Sequence, residues 1–72
     1  MNIRNEMLEA ARAYYGSALN KHRINIEILL EKGVGVAEHP DVMETIDGEL
    51  SKMAEHHDRL EMLDIYFTKD GD

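Results

Sequence analysis

Apolar residues recur through the first half of the chain at alternating steps of three and four. Leu8, Ala11, Tyr15, Ala18, His22, Ile26 and Leu29 form one continuous stripe, which Leu19 widens. That period predicts a single long helix over residues 3–32. A second stripe runs through Ala10, Ala13, Ser17, Ile24 and Ile28, small in its first half and branched in its second. Two apolar stripes on one helix predict contact on two sides, and a hairpin partner supplies only one of them. These five residues are therefore the candidate interface. The small-residue run from Ala10 to Ala18 is thin enough for another backbone to approach. Gly16 within it costs about 1 kcal/mol relative to alanine in a helix, so it marks either such a contact or a tolerated weak point.

The pattern stops at Gly33-Val34-Gly35-Val36-Ala37-Glu38-His39-Pro40. Gly33 follows Glu31-Lys32, as expected where a helix ends on a residue free to take positive φ beside a cation. Pro40 suits the first turn of a new helix, where its missing N–H costs nothing, and Asp41 and Glu44 set negative charge at the positive helix end. Gly33, Gly35 and Pro40 thus predict a turn over 33–39. Glu38 and His39 are the neighbouring candidates for capping the second helix, although neither is a favoured cap. Val34 and Val36 either fold over the hairpin end or stand out as a small contact surface.

A second helix is predicted over 40–67. Met43, Ile46, Leu50, Met53, His57, Leu60 and Phe67 follow a heptad step, broken at Asp64 and flanked by Ala54 and Leu63. Gly48 is a further mid-helix glycine. Thr68 to Asp72 carries no pattern and is expected to fray. The fold class is therefore all-α, one antiparallel helical hairpin that completes a four-helix bundle by dimerisation. With the turn centred near Val36, Leu29 faces Met43, Ile26 faces Ile46, His22 faces Leu50, Leu19 faces Met53 and Tyr15 faces His57. In that register each helix offers one histidine to the seam, too far apart along the axis to touch, and Tyr15 hydrogen-bonds His57.

Size strengthens the expectation of a partner. With 72 residues and no cysteine, two helices bury too little apolar surface for much stability alone. The first residues lack a signal-peptide pattern and no run approaches a membrane span, which predicts a cytoplasmic protein. Residues 1–32 carry five bases against four acids, whereas 41–64 carry eight acids against two bases. An acidic second half works against nucleic acid binding, which needs a cationic surface. The same difference favours setting one molecule's first helix beside another's second, an attraction that salt weakens.

Chemistry-bearing patterns are sparse. No glutamate lies three residues before a histidine and no two histidines stand four apart, so neither a di-metal bundle motif nor a helical zinc clamp is present. His57 with Glu61, joined by His56, is the nearest metal-like group, and a seam role for His57 with a solvated His56 outweighs it. Ser17 and Ser51 sit mid-helix without a base and an orienting partner. Gly33-x-Gly35 follows a helix and lacks the remainder of a phosphate loop. No catalytic residue, metal site or cofactor is assigned.

The run from Ile26 to Asp41, with its Gly-hydrophobic-Gly-hydrophobic-x-Glu-His-Pro-Asp pattern, followed by Leu60-Glu61-Met62-Leu63-Asp64-Ile65-Tyr66-Phe67, resembles small uncharacterised proteins encoded by large tailed phages of marine bacteria. The resemblance covers the central half of the chain. It implies a phage-encoded accessory or assembly protein in the host cytoplasm or the virion, and it supplies no activity or cofactor. The functional expectation is a non-enzymatic, self-associating interaction module. The alternative is a small acidic regulator that docks on a host protein, and a metal-binding helical protein is the remoter third.

Overall fold

The computed structural model describes residues 2–32 and 41–70. Two α-helices, α1 (Ile3–Lys32) and α2 (Val42–Tyr66), pack against each other as an antiparallel hairpin. The expected turn residues Gly33, Gly35 and Pro40, together with Val34, Val36, Glu38 and His39, lie outside the described residues.

Each helix begins on a side-chain cap. Asp41 holds extended backbone (φ −156°, ψ 95°), and its Oδ1 accepts the Glu44 N–H at 3.1 Å. This satisfies one of the N–H groups that every helix start leaves without an internal partner. The cap is therefore Asp41, one residue beyond the Pro40 start that the sequence suggests. Asn2 does the same for α1, its Oδ1 accepting the Asn5 N–H at 3.0 Å. At the other end of α2, the Phe67 N–H returns to the Leu63 carbonyl.

The seam on α1 is the first stripe. Leu8 is buried, and Ala11, Tyr15, Ala18, Leu19, His22, Ile26 and Leu29 are half-buried. On α2 the seam differs from expectation. Ile46, Met53 and Leu60 lie in it as anticipated, but their flanking residues are Val42, Glu49, His56 and Leu63. Met43, Leu50 and Phe67 are 70%, 50% and 50% exposed, and His57 and Asp64 are exposed as well. Both sets follow a heptad step and share the same three central residues, so the difference is a rotation of α2 about its own axis. The rotation brings Leu63 inward where Asp64 would have interrupted the seam. It also carries Asp64 to the margin, where it pairs with Arg12.

The end of the chain is a further departure. Thr68, Lys69 and Asp70, expected to fray, clasp the start of α1. Arg4 Nη1 donates to the Thr68 carbonyl at 2.9 Å and to Asp70 Oδ1 at 3.1 Å. The Asp70 N–H donates to Asn5 Oδ1 at 2.8 Å, and Asn5 Nδ2 returns a bond to the Asp70 carbonyl at 3.2 Å. Lys69 pairs with Glu9, which lowers the Glu9 carboxyl below its ordinary range.

Candidate functional site

The polar groups of the seam form one connected set. A carboxylate only accepts hydrogen bonds, so the 2.6 Å contact between His22 Nδ1 and Glu49 Oε1 fixes the imidazole proton on Nδ1. Asn25 Nδ2 donates to the same oxygen at 3.2 Å. These bonds, that of His22 first and that of Asn25 second, hold the Glu49 carboxyl below its ordinary value. The His22 ring stacks on that of His56, with centroids 5.7 Å apart and planes 14° from parallel. His56 in turn lies 6.3 Å from the Tyr15 ring, whose other neighbours include the Arg59 guanidinium at 6.0 Å. His56 Nδ1 is buried without a hydrogen-bond partner among the described residues.

This arrangement corrects three expectations at once. His22 faces Glu49 instead of Leu50. Tyr15 meets His56, and no Tyr15–His57 hydrogen bond is present among the described residues. The two seam histidines touch, because the second one is His56. Sequence reasoning passed over Glu49 and His56 since an apolar Leu50 and a neighbouring histidine fitted the heptad equally well. The signal that could have found them is the demand of His22 and Asn25 for an acceptor.

Outside the seam, the candidate interface lies on the back of α1. Ala10, Ala13 and Ser17 are exposed, and Ile24 and Ile28 are 43% and 47% exposed. Ile3, Met7 and Tyr14, all at least 60% exposed, extend the same face, and sequence reasoning missed them. Together with Lys21 they give a strip that runs the length of α1 at steps of four and three. A shallow depression lined by Ala10, Ala13, Tyr14, Ser17, Ala18 and Lys21 occupies its middle. At about 100° per residue the strip stands roughly 120° around α1 from the seam. It is therefore uncovered by α2.

A smaller groove beside α2 is lined by Leu19, Leu50, Met53, Ala54, His57 and Asp58. It exists because the rotated α2 turns Leu50 and His57 away from α1. Gly16 and Gly48 are not close-approach positions within the hairpin, since a Cβ on either would meet nothing within 4 Å. The metal-like group also changes membership. His56 turns into the seam, and His57, Asp58 and Glu61 instead bring ligand atoms within 4.8 Å of one another, all exposed on a single helix.

No helix among the described residues is long and apolar enough to cross a membrane. No family model matches the chain, and no curated protein or solved structure matches it either.

Proposed function

We propose that this chain is a non-enzymatic helical-hairpin interaction module that associates with a second copy of itself. The observation that carries the reading is its surface. The chain exposes 5584 Å², whereas a compact monomer of 8.3 kDa exposes roughly 4,600 Å² by the usual size scaling. The excess, about 1,000 Å², is close to the ~800 Å² that one partner contributes to a standard stable interface.

Packing supports the same reading. Leu8 is the one buried apolar side chain among the described residues, against twelve large apolar side chains that are exposed. The described residues form two helices and no further element, so among them no second layer covers either face of the pair. Full burial of an isoleucine, methionine or comparable side chain is worth about 1.5–3 kcal/mol. Covering the half-exposed strip on both copies thus offers an amount comparable with the entire stability of so small a domain. A two-fold arrangement is favoured because one patch then satisfies itself. In the setting that the phage resemblance implies, such a module would serve as an accessory or assembly component.

The groove beside α2 favours a second reading, in which the acidic helix docks on another protein. Light scattering at high micromolar concentration separates the two. A stable dimer is expected for the unmodified chain, and Ile24→Asp with Ile28→Asp should give monomers with a lower melting temperature. A monomer for the unmodified chain at that concentration would sink self-association.

A further inference from the structure

We infer that α1 pairs with the α1 of a second copy, antiparallel and through the strip on its back, so that each α2 lies outermost. This deepens the reading of the chain as self-associating and rests on it. A strip about 120° around α1 from the seam is covered when two α1 helices pack strip to strip, with each α2 displaced to the outside of that pair. The resulting assembly is an open array of four helices, bent at each α1.

Size and charge choose the direction. The strip, from Ile3 to Ile28, is centred between Tyr14 and Ser17, so an antiparallel pair sets Tyr14 over Ser17 of the second copy. The shallow depression around Ser17 sets the small Ala10, Ala13 and Ala18 beside that ring. Further out, Lys21 lies beside the small Ala10, where its stem can cover apolar surface and its ammonium reach water. Met7 then meets Ile24, and Ile3 meets Ile28. Large side chains meet small ones at the centre and apolar ones at the ends. A parallel pair would instead set Tyr14 on Tyr14 and Lys21 on Lys21, two like charges facing each other within the contact.

The same pairing has a cost that can be measured. One margin of the strip carries Glu6 and Glu27, and antiparallel packing sets Glu6 near the partner's Glu27. Each chain also carries a net charge of −7. Screening relieves both repulsions, so added sodium chloride tightens the dimer, on the order of threefold between low and physiological-to-high salt. Seating α1 against the acidic α2 of the partner gives the opposite salt response.

The chain has no cysteine, which makes disulfide trapping clean. Chains with Ile3→Cys and chains with Ile28→Cys are prepared separately, checked for unchanged helicity by circular dichroism, and oxidised alone and as an equimolar mixture. The mixture should form a covalent dimer, and each variant alone should not. In the antiparallel pair, like positions stand 25 residues apart, roughly 37 Å along the axis, far beyond the reach of a disulfide. Cross-linking of either variant alone overturns the inference in favour of a parallel pair. A dimer in light scattering that traps in neither arrangement, or that dissociates as salt is raised, overturns it while leaving self-association standing. A helical monomer throughout overturns both.

Discussion

His22 Nδ1 stands 2.6 Å from Glu49 Oε1, across a seam whose heptad would otherwise have placed Leu50 opposite that imidazole. The pair sits partly out of water, with the two side chains 14% and 23% exposed. It sets the rotation of α2, and through it the surface that each helix leaves uncovered.

Acid should weaken the hairpin through Glu49. Its carboxyl is depressed below its ordinary value of 4.5 by the bonds from His22 and Asn25. A depressed carboxyl contributes stability that is present above its unfolded value and is lost as pH falls through its folded value. The melting temperature should therefore fall as pH is lowered below about 4.5. Glu9, depressed by Lys69, contributes in the same direction. Glu49→Gln should flatten part of this profile and leave the Glu9 share. Identical profiles for the two proteins would remove Glu49 from the account.

Tyr15 acts through its ring and not its hydroxyl. It lies against His56 and Arg59. Tyr15→Phe should change stability by less than about 0.5 kcal/mol, whereas Tyr15→Ala should cost about 1–3 kcal/mol, discounted from the full-burial figure because the ring is half-buried. Denaturant titration of both variants tests this. A large loss in the phenylalanine variant would restore a hydrogen bond to the phenol.

Leu63 and Leu50 report the rotation of α2 directly. Leu63 is half-buried in the seam, and Leu50 is 50% exposed. Leu63→Ala should cost about 1–2.5 kcal/mol, and Leu50→Ala less than about 1 kcal/mol. The reverse order in thermal melts would favour the seam through Met43, Leu50 and His57.

Asp41 is the residue whose loss should shorten α2. Asp41→Ala removes the acceptor of the Glu44 N–H and should cost about 1 kcal/mol. For a domain of this size that corresponds to a fall of about 4–8 °C in melting temperature. Asp41→Asn keeps the acceptor and should recover most of the loss.

Gly16 and Gly48 are open positions in helical backbone. Alanine at either meets nothing within 4 Å and should stabilise by about 0.5–1 kcal/mol. Gly16 lies well around the helix from the Ile3–Ile28 strip, so Gly16→Ala should also leave the dissociation constant of the proposed dimer unchanged. A weakened dimer would place the contact on the Gly16 side.

Both helices and their antiparallel packing were legible in the sequence, because the signals involved are local. Periodicity from Leu8 to Leu29 needs only neighbours three or four residues away to define a face. Asp41 with Glu44 three residues later carries a helix-start signal of the same short range. The exposed back of α1 was legible in part, through Ala10, Ala13, Ser17, Ile24 and Ile28. Ile3, Met7 and Tyr14 completed it only once the seam was known.

The rotation of α2 was not legible, and the reason is degeneracy. Ile46, Met53 and Leu60 suit two heptads equally, one flanked by Met43, Leu50 and His57, the other by Val42, Glu49, His56 and Leu63. Hydrophobicity alone prefers the first. The choice falls to the second because His22 and Asn25, on the other helix, need an acceptor, and because Leu63 fills the position that Asp64 would have left polar. Those partners stand 24 to 27 residues apart, and the clasp of Arg4 and Asn5 on Asp70 spans more than 60. One-dimensional periodicity determined the helices of this protein. The pairing of polar groups across the seam, which exists only once the chain has folded back on itself, decided which faces they bury and which they leave exposed.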